Sequence, residues 1–204
     1  MRQDRSSEAC VLGFLTVVEH AELGLFGGYL VLNRAGRPLE FHCTAPIRPN
    51  RAQEILYGPS LRPFLYGEQI GGTLIRHAKT TPVAILTDCE PALAVREHIE
   101  LPMALVLPTN SGEDCSAELE NAPAPSIRFD AAHAGGNATR PHRNSEGELL
   151  LFELGHHRLA VTRACEADRS ALASRLAALP AALDLAEPFG RIHEAISEAR
   201  KGAR

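Results

Sequence analysis

The chain has 204 residues, 45% hydrophobic and 23% charged, the composition of an ordinary globular protein long enough for one sizeable domain. A net charge of -4 gives no general attraction for polyanions, and with no Trp and three Tyr the chain lacks the stacking platforms of a single-strand nucleic-acid binder. Five scattered cysteines, none in a CxxC pair, argue against a disulfide framework or zinc ribbon. No run reaches the ~18 apolar residues of a membrane span, so a cytoplasmic protein with no membrane partner is expected.

The first apolar run, VLGFLTVV (11–18), follows the charge-balanced RQDRSSE and ends in Glu19 instead of a small-residue cleavage site. It therefore predicts a buried strand and not a leader peptide. GLFGGYLVLN and RPLEFHCT, joined by RAG, predict two more strands and complete a three-strand antiparallel meander. Gly27 and Gly28 suit close backbone approach or a bulge near the start of the second strand. In PIRPNRAQEILYG, Asn50 and Gln53 form a capping-box pair for a helix of about two turns, which Gly58-Pro59 ends. Ser60 opens a second helical stretch, LRPFLYGEQIGGTLIRHA, with Leu61, Leu65, Ile70, Leu74 and Ile75 near one face; Gly67, Gly71 and Gly72 allow close packing there.

VAILTD then reads as a buried strand, PALAVREHI as a helix opened by Pro91, and MALVLP as another buried strand. Continuous apolar strands separated by a helix imply parallel pairing. The expected fold is α/β: a mixed five-stranded sheet, three antiparallel strands plus parallel ones, flanked by helices over residues 9–108. Residues 109–146, rich in Gly, Pro, Asn and Ala, predict a flexible insertion or linker. Residues 147–204 predict a hairpin turning at Gly155-His156 and two helices packing on the core, with Leu172, Leu176 and Leu179 at helical spacing before Pro180.

Three acidic positions stand where such a sheet could bring them together: Glu19 closing the first strand, Asp88 closing the fourth, and either Glu54 or Glu68 on the helices between. Converging carboxylates suit Mg²⁺ or Mn²⁺, and two such ions can stabilise both oxygens of a phosphoryl displacement. Against this, Asp88 also suits a helix N-cap, and Glu19 and Glu68 suit solvated positions. In VVEHAELGLFGGYLVL, YGEQIGGTLIRHA and AILTDCEPAL, the chain resembles the ribonuclease H-like superfamily over residues 11–107. That family has a carboxylate ending its first strand, a glycine-rich start to the second, a helical Glu and an Asp ending the fourth strand. The resemblance implies a metal-dependent phosphodiester hydrolase with Glu19, Glu68 and Asp88 as catalytic metal ligands. HHRLAVTRACEADRSALA adds His157 and Asp168 as the family's late histidine and final Asp. The chain departs from the family in using Glu19 where Asp is usual, in having two candidates for the helical Glu, and in carrying the 109–146 segment.

Rival chemistry is sparser. Cys89 at a helix start could be a thiolate favoured by the macrodipole. His42 and Cys43 alternate across a strand and cannot share one ion, and His156-His157 at a hairpin tip reads as a solvated pair. Arg48 and Arg51 near a helix start suit substrate phosphates if nucleic acid is the partner. The alternative function is a non-catalytic α/β interaction module with a protein partner.

Overall fold

The computed structural model describes residues 11–108, 149–177, 179–180 and 183–202; the predicted linker 109–146 lies outside them. The fold is α/β, built on one mixed open sheet. Its strands are β1 (Leu12–His20), β2 (Gly24–Leu32), β3 (Pro38–Cys43), β4 (Ala84–Thr87), β5 (Met103–Leu107), β6 (Leu149–Leu154) and β7 (His157–Thr162). They lie in the order β3-β2-β1-β4-β5-β7-β6. β1 to β3 form the expected antiparallel meander, while β4 pairs parallel with β1 and with β5. The prediction of five strands falls short because the hairpin β6-β7 joins the sheet itself: β7 pairs antiparallel with β5 and extends the same sheet to seven. That pairing removes an open edge beside β5, whose residues are almost all buried.

Helix α1 (Arg51–Tyr57) opens with the predicted capping box: the Asn50 side chain accepts from the Gln53 N–H, and the Gln53 side chain accepts from the Asn50 N–H. Gly58, at φ 49°, ends it. Helix α2 (61–77) starts as Leu61–Pro63, widens to π-helical turns over Phe64–Gly71 and closes as Gly72–His77. Of its predicted apolar face, Leu65, Ile70 and Leu74 are buried. The predicted helix after β4 is instead a run of tighter 3-10 turns, Glu90–His98, which keeps Ala92, Leu93 and Val95 inside. A Cβ on Gly67 would stand 2.7 Å from both the Ala94 Cβ and the Val95 N, so the missing side chain lets these two helical segments touch. The remaining helices are α3 (Ala167–Leu176) and α4 (Glu187–Gly202).

Strand alternation divides the core in two. Leu12, Phe14, Phe26 and Leu30 pack with Leu172 and Leu176 of α3 and with Phe189, Ile192 and Ile196 of α4. Leu15, Val17, Tyr29 and Val31 pack with Leu65, Ile70 and Leu74 of α2 and with Leu93 and Val95. The predicted leucines 172 and 176 are therefore core, with Leu179 packed beside them. Gly27 and Gly28 lie inside β2, not at its start, and serve opposite faces. A Cβ on Gly27 would collide with Ile70, and one on Gly28 with Ile192. The strand's irregularity falls elsewhere, between Val31 and Leu32.

At the open edge, Glu40 ties β3 to the segment after α2. Its carboxylate accepts from the backbone N–H groups of Lys79 (2.9 Å) and Thr80 (2.9 Å) and lies 2.6 Å from His42 Nε2. The Lys79 N–H first, then His42, hold its pKa down from 4.5 to about 2. The stability this clasp supplies is thus fully present above pH 4.5 and is lost as pH falls toward about 2. Urea unfolding followed against pH should show a fall across that window in the wild type and a shallower one in Glu40→Gln.

Candidate functional site

The carboxyl ends of the parallel strands β1 and β4 lie side by side. Leu15 pairs with Thr87, so Thr16 stands level with Asp88 one residue further on. Thr16 is buried and, being even-numbered in β1, faces α4. There its Oγ1 lies 3.2 Å from His193 Nε2 and 3.7 Å from Cys89 Sγ. His193 Nε2 is 3.6 Å from Asp88 Oδ2. The Cys89 Sγ–H reaches Asp88 Oδ1 at 3.2 Å and the Val17 carbonyl at 3.5 Å. Sequence reading found Asp88 and Cys89 but missed Thr16 and His193. The register pairing β1 with β4 is the signal that would have found Thr16; nothing local in EPFGRIHEAI marks the histidine.

The thiolate expectation for Cys89 is overturned by its surroundings. Burial first, then the Asp88 carboxylate, push the thiol up to about 11, against which the start of a 3-10 segment offers little. At neutral pH Cys89 is a protonated donor, which fits its contacts with Asp88 and Val17.

Each of the other predicted carboxylates has its own neighbour. Glu19 is odd-numbered and stands on the opposite face of β1 from Thr16, three residues or ~10 Å further along the strand. It is exposed and pairs with Arg62 of α2 at 3.0 Å. Glu68, also exposed, lies 3.9 Å from His98 Nε2. Its rival Glu54 pairs with Arg51 at 2.9 Å on α1. That contact engages one of the two predicted phosphate-binding arginines; Arg48 sits exposed before the helix, with its Cγ against Gly24. Among the described residues, no group of three or more His, Cys, Asp and Glu side chains is placed to hold a metal ion.

Asp168 is buried among protein donors. It takes the Arg96 guanidinium in two bonds, 2.7 Å from Nε and 3.0 Å from Nη2, and accepts the Met103 N–H at 3.1 Å. A third Arg96 bond, from Nη1 to the Ile99 carbonyl at 2.6 Å, completes a pin joining α3, the end of the 90–98 segment and the start of β5. His157 donates its Nε2–H to the Leu183 carbonyl, 2.8 Å away, and partial burial lowers its pKa. His42 and Cys43 point apart as expected, His42 to Glu40 and Cys43 to solvent.

A second feature lies on the α2 side. A groove of about 580 Å³ runs between α2, the 90–98 segment and the β6-β7 end of the sheet. The rings of Tyr57 and Phe64, stacked with centroids 4.2 Å apart, line it. Tyr57 is also the last residue of α1, which buries none of its side chains. Ile55 is 67% and Leu56 81% exposed beside it. No protein-family model matches the chain, and no curated protein matches it. Among the described residues, no helix is long and apolar enough to cross a membrane.

Proposed function

We propose that the protein is a non-catalytic α/β interaction module whose recognition surface is α1 together with the adjoining groove. The observation that carries this reading is the exposure of Ile55 and Leu56 on a capped helix that buries none of its side chains. Two large aliphatic side chains left in water, next to a concave surface lined by aromatic rings, are what a protein partner covers. The test is a selection of peptides from a random library on the wild type and on Ile55→Glu/Leu56→Glu, which disturbs no buried side chain. Peptides retained by the wild type and lost on the variant support the reading. Failure to enrich any peptide, or equal retention by both proteins, rejects it.

A second reading, the metal-dependent phosphodiester hydrolase of ribonuclease H-like kind, draws support from Asp88 ending β4 beside the parallel β1, with His193 and Thr16 around it. The donor set does not fit a hard cation as it stands: Glu19 would have to leave Arg62, and Glu68 would have to leave His98, to join Asp88. A Mn²⁺ titration by calorimetry on the wild type and Asp88→Asn decides it. Saturable binding lost in the variant would support the hydrolase and nucleic-acid substrates; heat from neither protein would remove it.

A further inference from the structure

We infer that the groove beside α1 takes a basic side chain, an arginine or lysine carried on a partner peptide. This rests on the interaction-module reading and adds to it the chemistry of the partner.

Glu68, Glu90 and Glu97 line the groove from two different elements, α2 and the 90–98 segment. Glu90 and Glu97 are both exposed. Of the cations along the same walls, Arg96 turns its guanidinium onto Asp168 and the Ile99 carbonyl, and Arg163 has an interaction of its own. His98 lies against Glu68 and offsets its charge only when protonated. A groove with this balance favours a positive group entering from outside.

The walls supply the second half of the recognition. The stacked Tyr57 and Phe64 rings line the same groove as the carboxylates, and Tyr57, 36% exposed, adds aromatic surface that a guanidinium or an ammonium can use. Pro63, Pro91 and Leu93 add apolar surface for the aliphatic stem of such a side chain. Ile55 and Leu56, two and one residues before Tyr57, add exposed apolar surface on the same helix. Volume agrees, since about 580 Å³ admits one or two side chains and not a folded domain.

The probe is the peptide acetyl-Leu-Leu-Arg-Ala-Arg-amide, compared by calorimetry with the same peptide carrying Gln in place of both arginines. The arginine peptide is expected to bind about tenfold tighter. That advantage should shrink to about threefold or less in Glu90→Gln/Glu97→Gln and in Tyr57→Ala, and should fall in high salt. Circular dichroism on each variant checks that it is folded. Equal binding of the two peptides, or an advantage unmoved in the glutamine variant, overturns the proposal. If neither peptide binds while library peptides still select the wild type over Ile55→Glu/Leu56→Glu, the basic ligand is wrong and the interaction module stands. If no peptide binds by either method, both fall.

Discussion

Asp168→Ala is expected to lower the unfolding free energy by about 3–5 kcal/mol, measured by urea denaturation. Removing the carboxylate leaves the Arg96 guanidinium beside a buried space and orphans the Met103 N–H where β5 begins. Breaking a buried pair from one side costs more than the pair contributes, because the stranded charge keeps its desolvation penalty. The double replacement Arg96→Met/Asp168→Leu should therefore recover part of the loss. A residue whose work is catalysis would behave in the opposite way, with stability little changed when its charge is removed. A loss of less than about 1 kcal/mol in Asp168→Ala would sink the pin described here and return Asp168 to the list of candidate ligands.

Phe14→Ala carries the other large effect, an expected loss of about 3–5 kcal/mol. Phe14 is wholly buried in β1, and its ring meets that of Phe189 edge to face, with centroids 5.6 Å apart. The cavity left by its removal would lie between β1 and α4, two elements that cannot easily close on it because Gly28 already lets Ile192 rest on the sheet. Phe189→Ala should cost less than Phe14→Ala, and the double mutant should cost less than the sum of the two, since the rings share one contact. Strict additivity would show that they do not.

Local chemistry explains what could be read in advance. The Asn50/Gln53 cap, the turn after Asn33, the Gly155-His156 hairpin and the three apolar strands 12–20, 84–87 and 103–107 are all written within a few neighbouring residues. What escaped was set by residues far apart. The union of β7 with β5 depends on which edge of the sheet is left open, a fact no window of sequence contains. The 90–98 segment lies against α2 where Gly67 admits its backbone, a contact between residues far apart in the sequence. Site reading met the same limit. In the sequence Glu19 and Asp88 stand at strand ends and Glu68 on the helical stretch between them, but parity along β1 sends Glu19 toward α2 while Thr16 faces α4 and joins Asp88. Counting from Asp88 back through the strand register would have pointed to Thr16, had the register been known.

Helix α4 lies on β1 and β2, and β1 is complete more than 160 residues before α4 begins, as the contact between Phe14 and Phe189 shows. During synthesis, at ~5–20 residues per second, the meander and the α2 layer are complete long before their opposite face can be closed. For many seconds the row Leu12, Phe14, Phe26 and Leu30 has no helix of its own chain to lie against. The nascent protein thus passes through a stage in which half of its core is an open apolar surface. Its yield in a cell is then governed by what shields that surface before residues 187–202 emerge, as much as by the stability of the finished fold.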